Sequence, residues 1–366
     1  MRRQNTEHYQ TINQPMSSRY QPLGILFALC MVWLAWFPSY CYAQITMPKI
    51  EVWYGDEQSF GRLGTPQRWV NVLGRVVSSS GIQSLEYILN DGPPVPLSIG
   101  PDQLRLAGPG DFNIEIDHRE LTAGVNTVAI MVMDSSNQES SRDVILHYTK
   151  NRKWPLPYHI NWKDVRNIQD VAQVVDGRWQ LAAGGVRILE PYYDRVIALG
   201  DVTWQNYEVT VPVTFHGFRQ PQKGFDGGAN VIHAAIAVRW PGHDEDGRQP
   251  RVKWYPLGAT AEFRLTSDLQ NCSWRILGGG GKRVNAESGR RIIFGECYQM
   301  KHRVETLPNG NTRYRVKLWN AAQAEPEEWD LQEEENRDDV QTGGALLIAH
   351  YTDVTFGNVT VMPVKP

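Results

Sequence analysis

The chain has 366 residues, 41% hydrophobic and 21% charged, with a net charge of −3. Those fractions belong to an ordinary globular protein and exclude disorder as the default, while the length allows two or three domains. A mildly acidic balance also argues against nucleic acid as a partner, since phosphate is met by basic surfaces.

At the N-terminus, Arg2, Arg3 and Arg19 precede an apolar run from Leu23 to Phe37, and Cys41-Tyr42-Ala43 follows as a small-x-small cleavage site. This predicts a secretory signal peptide over residues 1–43, cleaved after Ala43. A signal anchor is the alternative, although the run is shorter than the ~20 residues a spanning helix needs. The pair Arg2-Arg3 lacks the surroundings of a twin-arginine signal and reads as ordinary positive charge. Cleavage removes three Arg and one Glu, so the net charge moves from −3 to −5. The expected location is secreted, periplasmic or cell-surface, with the membrane touched only through an uncleaved signal segment.

Of the four cysteines, Cys272 and Cys297 survive cleavage. In an oxidising compartment an even pair suggests one disulfide, closing a loop of roughly 25 residues worth about 3 kcal/mol in the chain-entropy account. Two buried free thiols are the alternative. Neither cysteine has the close second Cys or His of a zinc site.

From Pro48 to Tyr148 short strands recur at regular spacing: KIEVWYG, RWVNVLGRVVS, SLEYILN, FNIEIDHREL, NTVAIMVMDSS and RDVILHYT, separated by Gly, Pro, Asn and Ser turns. Six or seven strands in about 100 residues is an immunoglobulin-like sandwich pattern, predicted over 47–150 without the Cys pair or Trp of antibody domains. The junction NRKWPLP, Asn151 to Pro157, is polar and Pro-containing, and marks the domain boundary.

The second domain, 154–366, is richer in tryptophan. Its strands read as WQLAAGGVRIL, DRVIALGDVTWQNYEVTVPVTF, VIHAAIAVRW, ATAEFRLT, SWRILGG, CYQMKHRVETL, TRYRVKLWNA, ALLIAHYTD and FGNVTVMPV. From Tyr207 to Phe215 apolar and polar residues alternate strictly, the period of a strand with one face in a core. Leu307 to Thr312 (LPNGNT) is a turn whose Asn309-Gly310 tolerates positive φ, pairing Met300–Glu305 with Tyr314–Trp319 as a hairpin. Trp162 to Val174 is the one helix candidate.

The segments DRVIALGDVTWQNYEV, RWPGHDEDGRQPRVKWYPLGATAEFRL, VKLWNAAQAEPEEWDL and HYTDVTFGNVTV resemble the concanavalin A-like lectin/glucanase superfamily, laminin-G-like members included. GDFNIEIDHREL with GVNTVAIMVMDSSNQES resembles the last strands of bacterial Ig-like, cadherin-like or fibronectin-like modules. The resemblance implies an all-β protein, an Ig-like sandwich followed by a concanavalin A-like jelly roll, and, for the second domain, glycan binding or glycan cleavage.

Candidate sites follow from residue chemistry. Arg239, Trp240, His243, Arg248, Arg251, Lys253, Trp254 and Tyr255 interleave bases with aromatic rings, and sugars offer C–H faces to rings and hydroxyls to charged groups. Arg239, His243, Arg248, Arg251, Lys253, Trp254 and Tyr255 are therefore the expected ligand-binding set, suited to an acidic polysaccharide. Trp240 follows the alternation of Ile232, Ala234, Ile236 and Val238 and reads as core. Asp244, Glu245 and Asp246 before Gly247 could form an oxygen-rich loop for a structural calcium, with a solvated hairpin tip as the alternative; a calcium near Asp201 or Asp353 is the analogue in some lectins. No cofactor is required.

Glu328-Trp-Asp330-Leu-Gln-Glu333 fits the E-x-D-x-x-E pattern of family 16 glucanases, whose first and last carboxylates are nucleophile and acid/base. Only about two strands follow it, and it runs into the charge cluster up to Asp339, so a solvated terminal loop is the expected reading. Gly278 to Gly281 with Lys282 and Arg283 lacks the strand, spacing and helix of a phosphate loop. His302 and His350 read as structural. The sequence leans toward a binding protein, with a hydrolase or lyase of the same fold next and a structural or adhesive surface protein third.

Overall fold

The structure is a computed structural model that describes residues 46–221, 231–252, 259–279, 281–286 and 289–365. The expected leader and Lys253, Trp254 and Tyr255 of the expected ligand set lie outside the described residues. Residues 46–366 form one compact unit containing two β-sandwiches.

In the small sandwich, β1 (Lys49–Val52), β3 (Trp69–Val77) and β6 (Asp111–Asp117) make one sheet. The facing sheet runs β2-β8-β7-β4-β5, from β2 (Glu57–Phe60), β4 (Ile82–Leu89), β5 (Val95–Pro96), β7 (Gly124–Asp134) and β8 (Glu139–Tyr148). Alternation builds the core: Val70, Val72, Ile114 and Ile116 from one sheet meet Val128, Ile130, Val144 and Leu146 from the other.

The large sandwich begins with β9 (Tyr158–Ile160), β10 (Gln173–Asp176), β11 (Trp179–Ala182), β12 (Gly185–Ile188), β13 (Arg195–Leu199) and β14 (Tyr207–Phe218). It continues with β15 (Ile232–Trp240), β16 (Ala259–Leu265), β17 (Ser273–Leu277), β18 (Arg283–Asn285), β19 (Cys297–Thr306) and β20 (Thr312–Asn320). It closes with β21 (Leu331–Glu335), β22 (Gly344–His350), β23 (Thr352–Phe356) and β24 (Val359–Pro363). One sheet is β10-β13-β22-β15-β16-β17-β18; the other is β11-β12-β23-β14-β19-β20-β21, with β24 and β9 attached beside β14. The all-β expectation holds among the described residues.

Strand β14 is buried at Tyr207, Val209, Val211, Val213 and Phe215 and partly exposed between them, as its alternation requires. These side chains meet Ala234, Ile236, Phe263 and Leu347 of the opposite sheet, each large one worth roughly 1.5–3 kcal/mol on full burial. The β19–β20 hairpin forms as expected, with Met300 opposite Leu318 and Glu305 opposite Arg313, closing at Thr306 and Thr312 around Gly310 at φ 84°.

Four expectations change. Trp162 to Val174 gives two single 3-10 turns, Trp162–Asp164 and Ile168–Asp170, then β10. WQLAAGGVRIL is a hairpin, β11–β12, bent at Gly184. Cys272 and Cys297 are both free: Cys272 is buried ahead of β17, whereas Cys297 is exposed at the head of β19 in the opposite sheet. The acidic string is not a terminal loop, because Leu331–Glu335 pairs along β20 as an edge strand. Glu334 finds Arg313 directly across the pairing at 3.6 Å, and cross-strand opposite charges stabilise such an edge; Glu333 pairs with Lys282, which precedes β18 of the other sheet.

The outer face of the β1-β3-β6 sheet meets the large sandwich through buried polar groups. Asn113 Nδ2 donates to Val175 O at 2.8 Å and to Asp176 Oδ1 at 3.0 Å, and Gln173 Nε2 donates to Asn71 Oδ1 at 2.9 Å. Arg105 bridges both sides, donating to Glu115 Oε1 at 2.9 Å and Asp176 Oδ1 at 2.8 Å, with all three side chains fully buried.

Candidate functional site

The described part of the expected ligand loop beyond Arg239, residues 240–252, lies largely at this joint. Arg239 is fully buried and takes φ 55° at a break in the β15–β22 register. The bulge swings Trp240 onto the face of Ala235 and Ala237, so it is core, but of the opposite side from Ile236. Arg239 spends its donors on Gln205 O, Thr312 Oγ1, Val340 O, Asn206 Oδ1 and Thr306 Oγ1, at 2.8–3.2 Å. His243 is buried, its carbonyl accepting from Trp69 Nε1 at 2.6 Å, and burial pushes its imidazole well below the ordinary range. Arg251 lies 3.5 Å over the Trp69 ring, with its backbone N–H on Glu115 Oε2 at 2.8 Å and its guanidinium on Glu245 at 2.7 Å. Arg248 alone of the described set is exposed. Asp246 accepts from the backbone of Arg248 and Val252 at 3.0 and 2.8 Å, which ties the loop to itself, and Asp244 lies on the same turn. Asp201 caps Thr203 and holds the Trp154 N–H, while Asp353 pairs with Arg187 at 2.6 Å.

The three carboxylates of the glucanase-like string separate. Asp330 accepts from Trp274 Nε1, Arg290 Nη2 and the Leu318 N–H at 2.6–2.9 Å, an anchor between strands. Glu333 pairs with Lys282, and Glu328 is exposed.

A different surface combines rings, charges and space. On the outward face of the nine-stranded sheet, the polar half of each strand's alternation aligns in register: Thr360, Thr210, Lys301 and Lys317 form one row, and Met362, Glu208, Arg303 and Arg315 the next. Gln299 stands opposite Trp319. Along these rows runs a groove of about 480 Å³ lined by Glu208, Thr210, Gln299, Lys301, Trp319 and Glu325. Trp319 forms its floor, with Lys301 and Lys317 ammoniums 6.0 and 5.7 Å from its ring. Trp329 packs alongside under Arg303, Arg315 and Lys317, at 5.2, 5.2 and 4.5 Å. Glu325 reaches Lys301 at 2.7 Å and Lys317 at 2.8 Å. Partial burial pushes its carboxyl up, but the hydrogen bonds from those two lysines outweigh this and hold it below the ordinary carboxylate range.

Such a surface presents fixed donors and acceptors around a ring edge. It contains no pair of unencumbered carboxylates placed for acid–base work. The signal for it lay in the outward positions of the Met300–Trp319 hairpin, where five cations and a tryptophan alternate with core residues.

No family model matches the chain, and no curated protein matches it. Among solved structures it is similar to the carbohydrate-binding module CBM66 from Bacillus subtilis, at 14% identity over 52% of this chain and 94% of that one, TM-score 0.33. It is also similar to a xylan β-1,4-xylosidase from Bacillus halodurans C-125, at 10% identity over 81% and 63%, TM-score 0.37. A third is the galectin LEC-6 of Caenorhabditis elegans, at 11% identity over 48% and 94%, TM-score 0.26.

Proposed function

We propose that this is an exported carbohydrate-binding protein, secreted, periplasmic or held at a cell surface, in which the small sandwich is an Ig-like support and the large one a concanavalin A-like lectin domain. The groove on the nine-stranded sheet carries the reading. Its Trp319 floor offers an apolar edge for a sugar's C–H face, while Thr210, Gln299, Lys301 and Glu325 offer the donors and acceptors that fix hydroxyls. Five cations on this face, Lys301, Arg303, Arg313, Arg315 and Lys317, stand against Glu208, Glu305, Glu325 and Glu334, which favours glycans carrying acidic groups. Binding of this kind needs neither a cofactor nor a catalytic residue.

The test is a glycan array probed with the chain starting at Gln44, beside Trp319→Leu and Glu325→Gln variants shown to be folded. Binding that falls about tenfold or more in both variants supports the assignment; no glycan bound by the parent, or equal binding by all three, overturns it. Mass spectrometry of the native product checks the export half, with a start at Gln44 as the expected result and a retained apolar segment as the contrary one.

A further inference from the structure

The other sheet carries a second cluster, on the face turned away from the main core. His233 of β15 and His350 of β22 stand directly opposite in register, their rings stacked at 4.6 Å and 7°. Both are nearly inaccessible, 4% and 3% exposed. Asp194, just ahead of β13, places Oδ1 2.6 Å from His350 Nδ1. Two imidazole nitrogens, His233 Nδ1 and His350 Nε2, have no hydrogen-bond partner despite full burial. A buried polar atom left unpaired is costly and calls for an explanation such as an ion.

We propose that Asp194, His233 and His350 form a transition-metal site. One ligand atom from each lies within 4.8 Å of the other two, and a tetrahedral ion with bonds of 2.0–2.1 Å sets its ligands about 3.3 Å apart, so a modest contraction completes the set. The stack holds the two imidazoles against each other, and a turn of one ring about χ2, a broad torsion, brings a nitrogen of each onto one ion. Two imidazoles and a carboxylate are a borderline donor set, which selects zinc, cobalt or nickel over calcium and magnesium. Three protein ligands leave a fourth position for water or a substrate oxygen. Of the cations facing the cluster, Arg275 and Arg264 share Glu262 at 2.8 and 3.8 Å, so its one carboxylate offsets one of their two charges. The site lies on the opposite sheet from the glycan groove, and neither depends on the other.

The test uses the untagged chain, stripped with chelator and titrated with Co²⁺ and Zn²⁺, with Ca²⁺ as the control. The expected result is one equivalent of Co²⁺ with the visible absorption of a low-symmetry nitrogen/oxygen site, displacement by Zn²⁺, a melting temperature that rises with Zn²⁺ and not with Ca²⁺, and affinity at least about 100-fold weaker in His233→Gln. Asp194→Asn, which conserves shape, is the second variant in case His233→Gln fails to fold, and should weaken binding about 10–100-fold. Absence of stoichiometric Co²⁺ binding, or unchanged binding in whichever variant is folded, overturns the site.

Discussion

Tryptophan meets cations in two places, and the two are built from the same residue types for opposite ends. At the joint between the sandwiches Trp69 lies between Arg68 at 4.2 Å and Arg251 at 3.5 Å, and Trp69 and Arg251 are 2% and 8% exposed. On the nine-stranded sheet Trp319 and Lys301, 8% and 7% exposed, line a groove, while Trp329 packs beside it under Arg303, Arg315 and Lys317. The difference lies in who else is present. At the joint, buried Glu115 and Asp176 come from different sandwiches and consume the cations; on the groove the acids are on the same face and leave room between rows. An aromatic-basic composition is thus a statement about chemistry and not about access.

The largest expected effect breaks the joint. Arg105→Ala leaves Glu115 and Asp176 buried with their shared guanidinium gone, and breaking a buried pair from one side costs about 3–5 kcal/mol. Urea denaturation should show that loss, with glycan binding by the surviving folded fraction unchanged. A cost under about 1 kcal/mol would show that the two sandwiches do not depend on this bridge.

Next comes a titration that separates interior from surface. His302 is fully buried in β19 with Nδ1 2.9 Å from Ile236 O, and burial lowers its pKa from 6.5 to about 4. Between those values the unfolded chain binds a proton that the folded chain refuses, so the stability present above pH 6.5 is lost as pH falls toward 4. The loss is about 3 kcal/mol, measured as the pH dependence of denaturation midpoints. A His302→Gln variant should reduce that slope by one proton's share, the remainder belonging to buried His233 and His243; a slope unchanged in the variant assigns it elsewhere.

On the groove side, Trp319→Leu should weaken glycan binding about tenfold, roughly 1.4 kcal/mol, whereas Trp69→Leu should destabilise the fold and leave the affinity of the folded protein alone. Loss of binding in the Trp69 variant with Trp319→Leu silent would reverse the roles of the two rings.

Sequence carried the elements set by their own period and turn chemistry. Tyr207 to Phe215 alternates without help from any other segment, and Asn309-Gly310 closes its hairpin locally. It failed where structure depends on distant charge: Leu331–Glu335 has no apolar alternation, and its acids are met by Arg313 across the β20 pairing and by Lys282 from the other sheet. Arg239 showed why a face assignment breaks, since one residue at φ 55° inverts the pleat for Trp240. The groove was half visible: its cations occupy the outward positions of a hairpin whose pairing was readable, but the rows from β14 and β24 that complete it come from far along the chain.

The smallest effect sharpens the comparison inside a single loop. Arg248 and Arg251 are three residues apart and were equal candidates by composition. Arg251 is 8% exposed, stacks on Trp69 and bonds Glu245, so Arg251→Ala removes a desolvated ring contact and a bidentate pair, and should cost roughly 1–3 kcal/mol. Arg248 is exposed, and a surface change away from such contacts stays within about 0.5 kcal/mol. Arg248→Ala should therefore leave both the denaturation midpoint and the glycan affinity unchanged, because the loop serves the joint and the groove lies on the far sheet. A fall in glycan affinity in Arg248→Ala, with stability intact, would move the binding surface back to the 239–252 loop and away from Trp319.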